Sequence, residues 1–184
     1  LWLNQTHSTT VIDWDQQEYS VIDADAAITR KQQKVCVVMT ADCLPILITN
    51  KSGSFVAAIH AGWRGLNNGI IQNTFNKLSL IERKEIIAFI GPAINQECFE
   101  VGTEVREEFL ANNPHDSQFF ISSVNQNKFM CNLRGIAKQR LLELDVQPLA
   151  IFNSQICSKC NPEWFFSYRQ NSNTGRFATL IWLD

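Results

Sequence analysis

Apolar positions in this chain fall into short runs separated by polar, glycine-bearing breaks. The clearest pair spans residues 45–50 and 54–60, two strand-like runs joined by Lys51-Ser52-Gly53. Strand, glycine turn, strand predicts an antiparallel hairpin. Gly62 and Gly65 flank a helix start directly after it. Residues 35–40 predict a buried strand leading into the hairpin, and residues 85–90 another that ends at Gly91-Pro92. Runs at 1–4, 9–12, 119–121, 148–152 and 177–183 predict further strands or strand ends. Residues 13–21 read as a polar loop or edge, and 23–27 as a small-residue acidic turn. Leu66, Ile70, Ile71, Phe75 and Leu78 repeat at helical spacing and predict one helix over 64–78. A second helix is expected over 103–111 with Thr103 as its cap. A third is expected to run from an Asn132 cap to Leu144, with Leu133, Ile136, Ala137, Leu141 and Leu144 on its buried face.

The 184 residues suit one domain, and 45 % hydrophobic content is enough for a sizeable core. Charged residues make up 18 %, below the roughly 25 % of ordinary globular chains. A net charge of −2 gives no basic surface for nucleic acid. No apolar run reaches the ~18 residues of a membrane span. Six scattered cysteines in a chain of this length read as free thiols, which implies a reducing cytoplasm.

The hairpin carries the candidate chemistry. Cys43 sits at the mouth of its first strand and His60 at the end of its second, so antiparallel pairing brings them together. Three readings follow: buried core residues, a Cys–His nucleophile pair, or two ligands of a transition metal. His7 would be the third ligand of a catalytic zinc site. Asp42 could orient a ligand or act as a base. Arg64, Arg169 and Arg176 are candidate anion-binding groups. Asp23-Ala24-Asp25-Ala26-Ala27 could let backbone or a carboxylate approach the site. Cys157-Ser158-Lys159-Cys160 has metal or redox spacing. It lacks a second C-x-x-C or an H-x-x-x-H, and no H-x-E precedes it. The pair is therefore expected neither to share a metal nor to form a functional disulfide. His115, in an exposed Pro-His-Asp turn, is not expected to be a ligand.

Eight motifs occur in order: Gln5-Thr6-His7, Asp23-Ala24-Asp25-Ala26, Thr40-Ala41-Asp42-Cys43-Leu44-Pro45, His60-Ala61-Gly62-Trp63-Arg64-Gly65, Gly91-Pro92-Ala93-Ile94, Phe99-Glu100-Val101-Gly102, Phe165-Phe166-Ser167-Tyr168-Arg169 and Thr174-Gly175-Arg176. Together they closely resemble the YfiH/LACC1 family (DUF152), whose older label is multicopper polyphenol oxidase or laccase. The resemblance covers essentially the whole chain. It implies an α/β, sandwich-like fold of mixed sheets flanked by helices, similar to that of bacterial toxin deamidases with a Cys–His pair. It implies zinc held by His7, Cys43 and His60. It implies purine nucleoside phosphorylase activity on adenosine, inosine and methylthioadenosine, with phosphate as co-substrate and adenosine deaminase activity beside it. Bacterial members are also linked to peptidoglycan editing, which leaves a Cys–His hydrolase as the alternative. The laccase label implies copper, but a laccase needs several histidine-rich sites and the chain has three histidines. Neither nucleic acid nor membrane is an expected partner. Two departures stand out: family members usually carry more chain before the Q-x-H histidine, and Asn132 replaces a common aspartate.

Overall fold

The computed structural model describes residues 2–16 and 22–184. Among the described residues there are thirteen strands: β1 (Leu3–Asn4), β2 (Val11–Asp13), β3 (Ile22–Asp23), β4 (Ala26–Thr29), β5 (Val35–Thr40), β6 (Leu44–Asn50), β7 (Val56–Ala61), β8 (Ile86–Ile90), β9 (Glu100–Gly102), β10 (Phe120–Ser122), β11 (Lys128–Cys131), β12 (Ile151–Asn153) and β13 (Phe177–Trp182). The α-helices among the described residues are α1 (Trp63–Asn67), α2 (Ile70–Asn76), α3 (Thr103–Asn112) and α4 (Leu133–Glu143).

The centre is a six-stranded mixed sheet in the order β12-β8-β6-β7-β4-β2. Its inner pairs β8–β6, β6–β7 and β7–β4 are antiparallel, and its two outer pairs are parallel. Side chains alternate across it, as the two-residue period of a strand requires. Ile46, Ile48, Ala57 and Ile59 point to one face, where Leu66, Ile70, Ile71, Phe75, Phe109, Leu133, Ile136 and Leu141 cover them. Leu47, Ala58 and Ala27 point to the other, against Cys36, Val38 and Ile181 of a two-stranded antiparallel ribbon, β5–β13. The result is the expected α/β class: mixed sheets with helices on one side and a ribbon on the other.

The hairpin forms with Pro45 opposite His60 and Leu44 opposite Ala61. Gly53 turns it at φ +61°. The helix expected over 64–78 is two helices. Gly69 adopts φ +93°, a left-handed conformation that ends the first and starts the second. Residues 23–27 are not simply a turn. Ala26 and Ala27 open β4, fully buried between β2 and β7. The residues before α3 form β9, and 128–131 pair beside it. Thr103 does not cap α3. Gly102 holds that position without a side-chain bond, and the Thr103 hydroxyl donates to Asn127 O at 3.2 Å. Asn132 does cap α4, accepting from Gly135 N at 2.8 Å. Residues 17–21 of the polar stretch, and Leu1, lie outside the described residues. No described helix is long and apolar enough to cross a membrane.

Candidate metal centre and active-site cleft

The site grows from one cross-strand relation. Ala26 pairs with Ile59, so the residue before Ala26, Asp25, lies beside His60 on the ribbon-facing side. Asp25 is fully buried, and a buried carboxylate must find donors. It finds them all within one loop and one ring. Oδ1 accepts from His60 Nδ1 at 2.7 Å and from His7 N at 3.0 Å. Oδ2 accepts from Ser8 N at 2.6 Å, Ser8 Oγ at 2.7 Å and Thr6 N at 3.2 Å. One carboxylate thus orients the His60 ring, leaving its Nε2 to face Cys43, and wraps the chain at 6–8 around itself. That wrapping sets His7 in a left-handed conformation, φ +59°.

His7, Cys43 and His60 converge. One ligand atom of each lies within 4.8 Å of the others. Cys43 Sγ is 3.8 Å from His7 Nε2, and the two imidazole rings meet edge-on with centroids 4.8 Å apart. A tetrahedral zinc with ordinary Zn–S and Zn–N bonds needs about 3.6 Å between such atoms. The donor set, one thiolate and two imidazoles, is of a kind that could hold a single transition-metal ion such as zinc. Gly62 permits the approach: a Cβ there would lie 2.6 Å from His7 Cδ2 and 3.1 Å from Cys43 Sγ. His115 is exposed on its turn, so two histidines serve the site, too few for a cluster of coppers.

In the metal-free chain these groups also hold one another in charged form. Burial opposes ionisation of the Cys43 thiol, but bonds to His60 and His7 outweigh it and lower the thiol to about 7. Burial likewise disfavours the His60 imidazolium, while Asp25 and Cys43 raise it to about 9. Asp25 is pushed up by burial and pulled down further by His60 and Ser8, to about 2.

Asp42 has a different setting. It adopts φ +89°, a conformation costing of order 1–3 kcal/mol for a residue with a side chain unless neighbours enforce it. Here they do. Oδ1 accepts from Ser158 Oγ at 2.7 Å, and Oδ2 from Ser167 Oγ at 3.0 Å and Arg169 N at 2.7 Å. Its carbonyl accepts from Ile94 N at 3.0 Å.

A cleft of about 590 Å³ opens over the three ligands. Arg64, Arg169 and Arg176 all line it, with Trp63, Phe99 and Tyr168. Each guanidinium lies over an aromatic ring: Arg64 over Trp63 at 4.4 Å, Arg169 over Phe99 at 5.1 Å, Arg176 over Tyr168 at 5.9 Å. Arg169 donates to Glu100 O, and Arg176 to Thr174 O and Gly175 O.

The sequence offers 23–27 as a segment that could bring backbone or a carboxylate to the site, without saying which residue; the carboxylate is Asp25. The signal was there: an acid amid alanines that pack in a core must be paired. Arg134 was missed. It is buried and donates to the carbonyls of Gly91, Ala93 and Ile156 and to Asn95 and Asn153, stapling the loop at 91–95 to the one at 153–156. Cys157 and Cys160 also gain a neighbour that their spacing concealed. Cys98, 62 residues away, has its Sγ 3.4 Å from that of Cys160.

With fold and site in place, the chain belongs to the family described as multi-copper polyphenol oxidoreductase laccase, whose model matches residues 1–184. Among relatives, it is 41 % identical over 183 residues to purine nucleoside phosphorylase YfiH of Escherichia coli, covering 100 % of this chain and 73 % of that one. It is 43 % identical over 187 residues to a purine nucleoside phosphorylase of Haemophilus influenzae, covering 100 % and 74 %. A crystal structure of the Neisseria meningitidis protein NMB0706, of family DUF152, superposes with a TM-score of 0.92 at 39 % identity, covering 99 % of this chain and 74 % of that one.

Proposed function

We propose that the cleft is the active site of a zinc-dependent purine nucleoside phosphorylase acting on adenosine, inosine and methylthioadenosine, with adenosine deamination as a second reaction. The observation that carries this reading is the meeting of three metal-ligating side chains on the floor of a cleft walled by three arginines. The names of the relatives support the phosphorylase part. A volume of 590 Å³ lies within the ~300–1,000 Å³ usual for small-molecule sites. Six free thiols suit a reducing compartment such as the cytoplasm.

In phosphorolysis a phosphate oxygen bonds to C1′ of the ribose as the bond from C1′ to the purine breaks. The bonding pair leaves with the base, which then takes a proton. Arg64 is suited to hold the phosphate, since its guanidinium stacks on Trp63 and makes no hydrogen bond to another described residue. Arg169 and Arg176 add positive charge on the same walls. Trp63 and Tyr168 offer flat faces to a purine. A zinc held by His7, Cys43 and His60 would supply Lewis acidity at the floor. Asp25 keeps the His60 ring in the ligating orientation. We assign Asp42 a positioning role: with three donors on its carboxylate, it fixes Cys43 on one side and Arg169 on the other.

The test is chromatographic separation of base and nucleoside after incubation with adenosine or inosine, with and without phosphate. Free base should appear only with phosphate, and inosine should form from adenosine without it. Arg64→Ala should raise KM for phosphate, and His60→Ala should abolish both reactions. If zinc-loaded protein leaves both nucleosides intact and oxidises a phenol with consumption of oxygen, this reading is wrong.

One observation favours a second reading, a thiol hydrolase. Cys43, His60 and Asp25 stand in the order nucleophile, base, orienting carboxylate, with the thiol lowered. Chelation separates the two readings: it should abolish phosphorolysis and should leave a thiol hydrolase active.

A further inference from the structure

Apart from His7, Cys43 and His60, three thiols meet with no role in the chemistry above. The Sγ atoms of Cys98, Cys157 and Cys160 all lie within 4.8 Å of one another. They come from two places, the end of the short 3-10 turn Gln96–Cys98 and the C-x-x-C turn, and backbone bonds fix both. Ala93 and Cys157 form an isolated parallel bridge. Ser158 N donates to Ala93 O at 3.0 Å, Ala93 N to Ile156 O at 3.2 Å, and Asn161 Nδ2 to Cys157 O at 2.8 Å. The thiols are thus brought together by a framework that does not depend on them.

Distances decide between the two things clustered thiols can become. A disulfide needs its sulfurs about 2.0 Å apart. Two thiolates on one tetrahedral zinc, with Zn–S of about 2.3 Å, sit about 3.8 Å apart. The Cys98–Cys160 separation of 3.4 Å is about 0.4 Å short of the second value and about 1.4 Å beyond the first.

We propose that Cys98, Cys157 and Cys160 form a second, three-thiolate site for a soft closed-shell cation, zinc(II) or copper(I), separate from the central centre. Two further features fit a bound cation. Asn95 N donates to Cys157 Sγ at 3.5 Å, and Cys160 N bonds the same sulfur, so backbone N–H groups from both loops face it, as suits a thiolate ligand. Arg134 also lies close by. Its guanidinium is buried, bonds Ile156 O immediately before Cys157, and has no carboxylate partner among the described residues. Three thiolates around zinc(II) carry one net negative charge, which a buried guanidinium balances. Cys160 is exposed, so the fourth position faces solvent. Soft thiolate donors select zinc and copper(I) over magnesium or calcium. The site is structural: Ser158, inside the turn, reaches Asp42, so a cation there would clamp the segment that carries Ser167 and Arg169.

The full chain is purified under reduction, stripped of metal, and reconstituted anaerobically with zinc(II) or, separately, copper(I). Elemental analysis and thiol titration follow. The wild type should bind two equivalents of at least one of these metals. Cys160→Ser, at an exposed position, and Cys98→Ser with Cys160→Ser should each bind one and keep phosphorolysis measurable. His60→Ala should keep one equivalent while losing activity, which separates this site from the function proposed above. Cobalt(II) gives a second readout. The thiolate-to-metal absorption of the doubly loaded wild type should fall in the double variant to the level of a single thiolate. One equivalent of each metal in the wild type, unchanged by either cysteine variant, overturns the proposal. So does a Cys98–Cys160 disulfide that forms on exposure to air in protein loaded with either metal.

Discussion

Replacing Asp25 with asparagine is the sharpest test of how the central site is held. The amide is the same size, so packing survives, but each carboxylate oxygen now accepts at least two donors. Whichever position becomes NH2 will face those donors with hydrogens of its own. Hydrogen bonds to a charged group contribute about 1.5–3 kcal/mol each, and a buried donor left unpaired costs about 1–3. A second route gives a similar scale. The Asp25 carboxyl, held at about 2 against its ordinary 3.8, reports roughly 2.5 kcal/mol of preference for the charged form. We therefore expect Asp25→Asn to lose about 2–4 kcal/mol of stability, a fall in Tm of roughly 5–15 °C. Removing the partner that orients a ligating imidazole should also weaken zinc binding about 10–100-fold. The pH dependence carries a sign. Asp25, lowered when folded, contributes stability present above its unfolded value of 3.8 and lost as pH falls through about 2. His60, raised in the metal-free chain, contributes stability present below 6.5 and lost as pH rises through about 9. Both shifts include the same bond seen from its two ends. Cys43, lowered to about 7, contributes stability present above its unfolded value of 9.0 and lost as pH falls through about 7, which opposes the His60 change over the same range. Metal-free wild type should therefore lose stability mainly as pH falls below about 4, and that acid flank should be flattened in Asp25→Asn. The assays are thermal melts across pH and competition for zinc against a chromophoric chelator. A variant with wild-type Tm and wild-type zinc affinity would refute the claim that this carboxylate organises the site.

Gly62→Ala meets no backbone obstacle, since φ is −65°, yet its Cβ would press on His7 and Cys43. Zinc affinity should drop by about tenfold or more while the metal-free Tm barely moves, and equal losses in both would point to general misfolding instead. Alkylation of Cys43 by iodoacetamide in metal-free protein should rise with an apparent pKa of about 7 and be suppressed by zinc; a midpoint near the ordinary thiol value would contradict the His60 and His7 contacts. Arg134→Met leaves the carbonyls of Gly91, Ala93 and Ile156 without their donor, so Tm should fall by roughly 10 °C, and a shift under a few degrees would mean water replaces the guanidinium.

The hairpin was legible because two local signals agreed, a glycine turn and apolar runs of matching length. Once Pro45 and His60 pair, Cys43 and His60 must be neighbours. His7 came less from pattern than from resemblance, since nothing local says that a loop histidine will fold back over a distant strand. β4 was hidden because alanine has neither the branching that marks strands nor the polarity that marks turns. Its strand character comes from neighbours on both sides. Two helices replaced one because helical spacing continues through Asn68-Gly69 although the backbone does not. The Cys98 contact could not be read at all. Residues 62 positions apart meet only because the Ala93–Cys157 bridge brings their loops together.

The spread of Asp42's partners along the chain has a consequence for synthesis. All three candidate ligands of the central ion, and Asp25 behind them, have emerged by residue 60. The groups that grip Asp42 come at 158, 167 and 169, and β13, which seals the ribbon against β5, comes later still. A growing chain thus holds His7, Asp25, Cys43 and His60, and Arg64 soon after, long before it has the side of the cleft that carries Arg169 and Arg176. Until residue 158 emerges, the positive φ of Asp42 lacks every donor to its carboxylate. On the proposed function, the residues that would hold a metal and the arginines at 169 and 176 that would meet substrate are separated in time by the order of translation, and β13 is made after both.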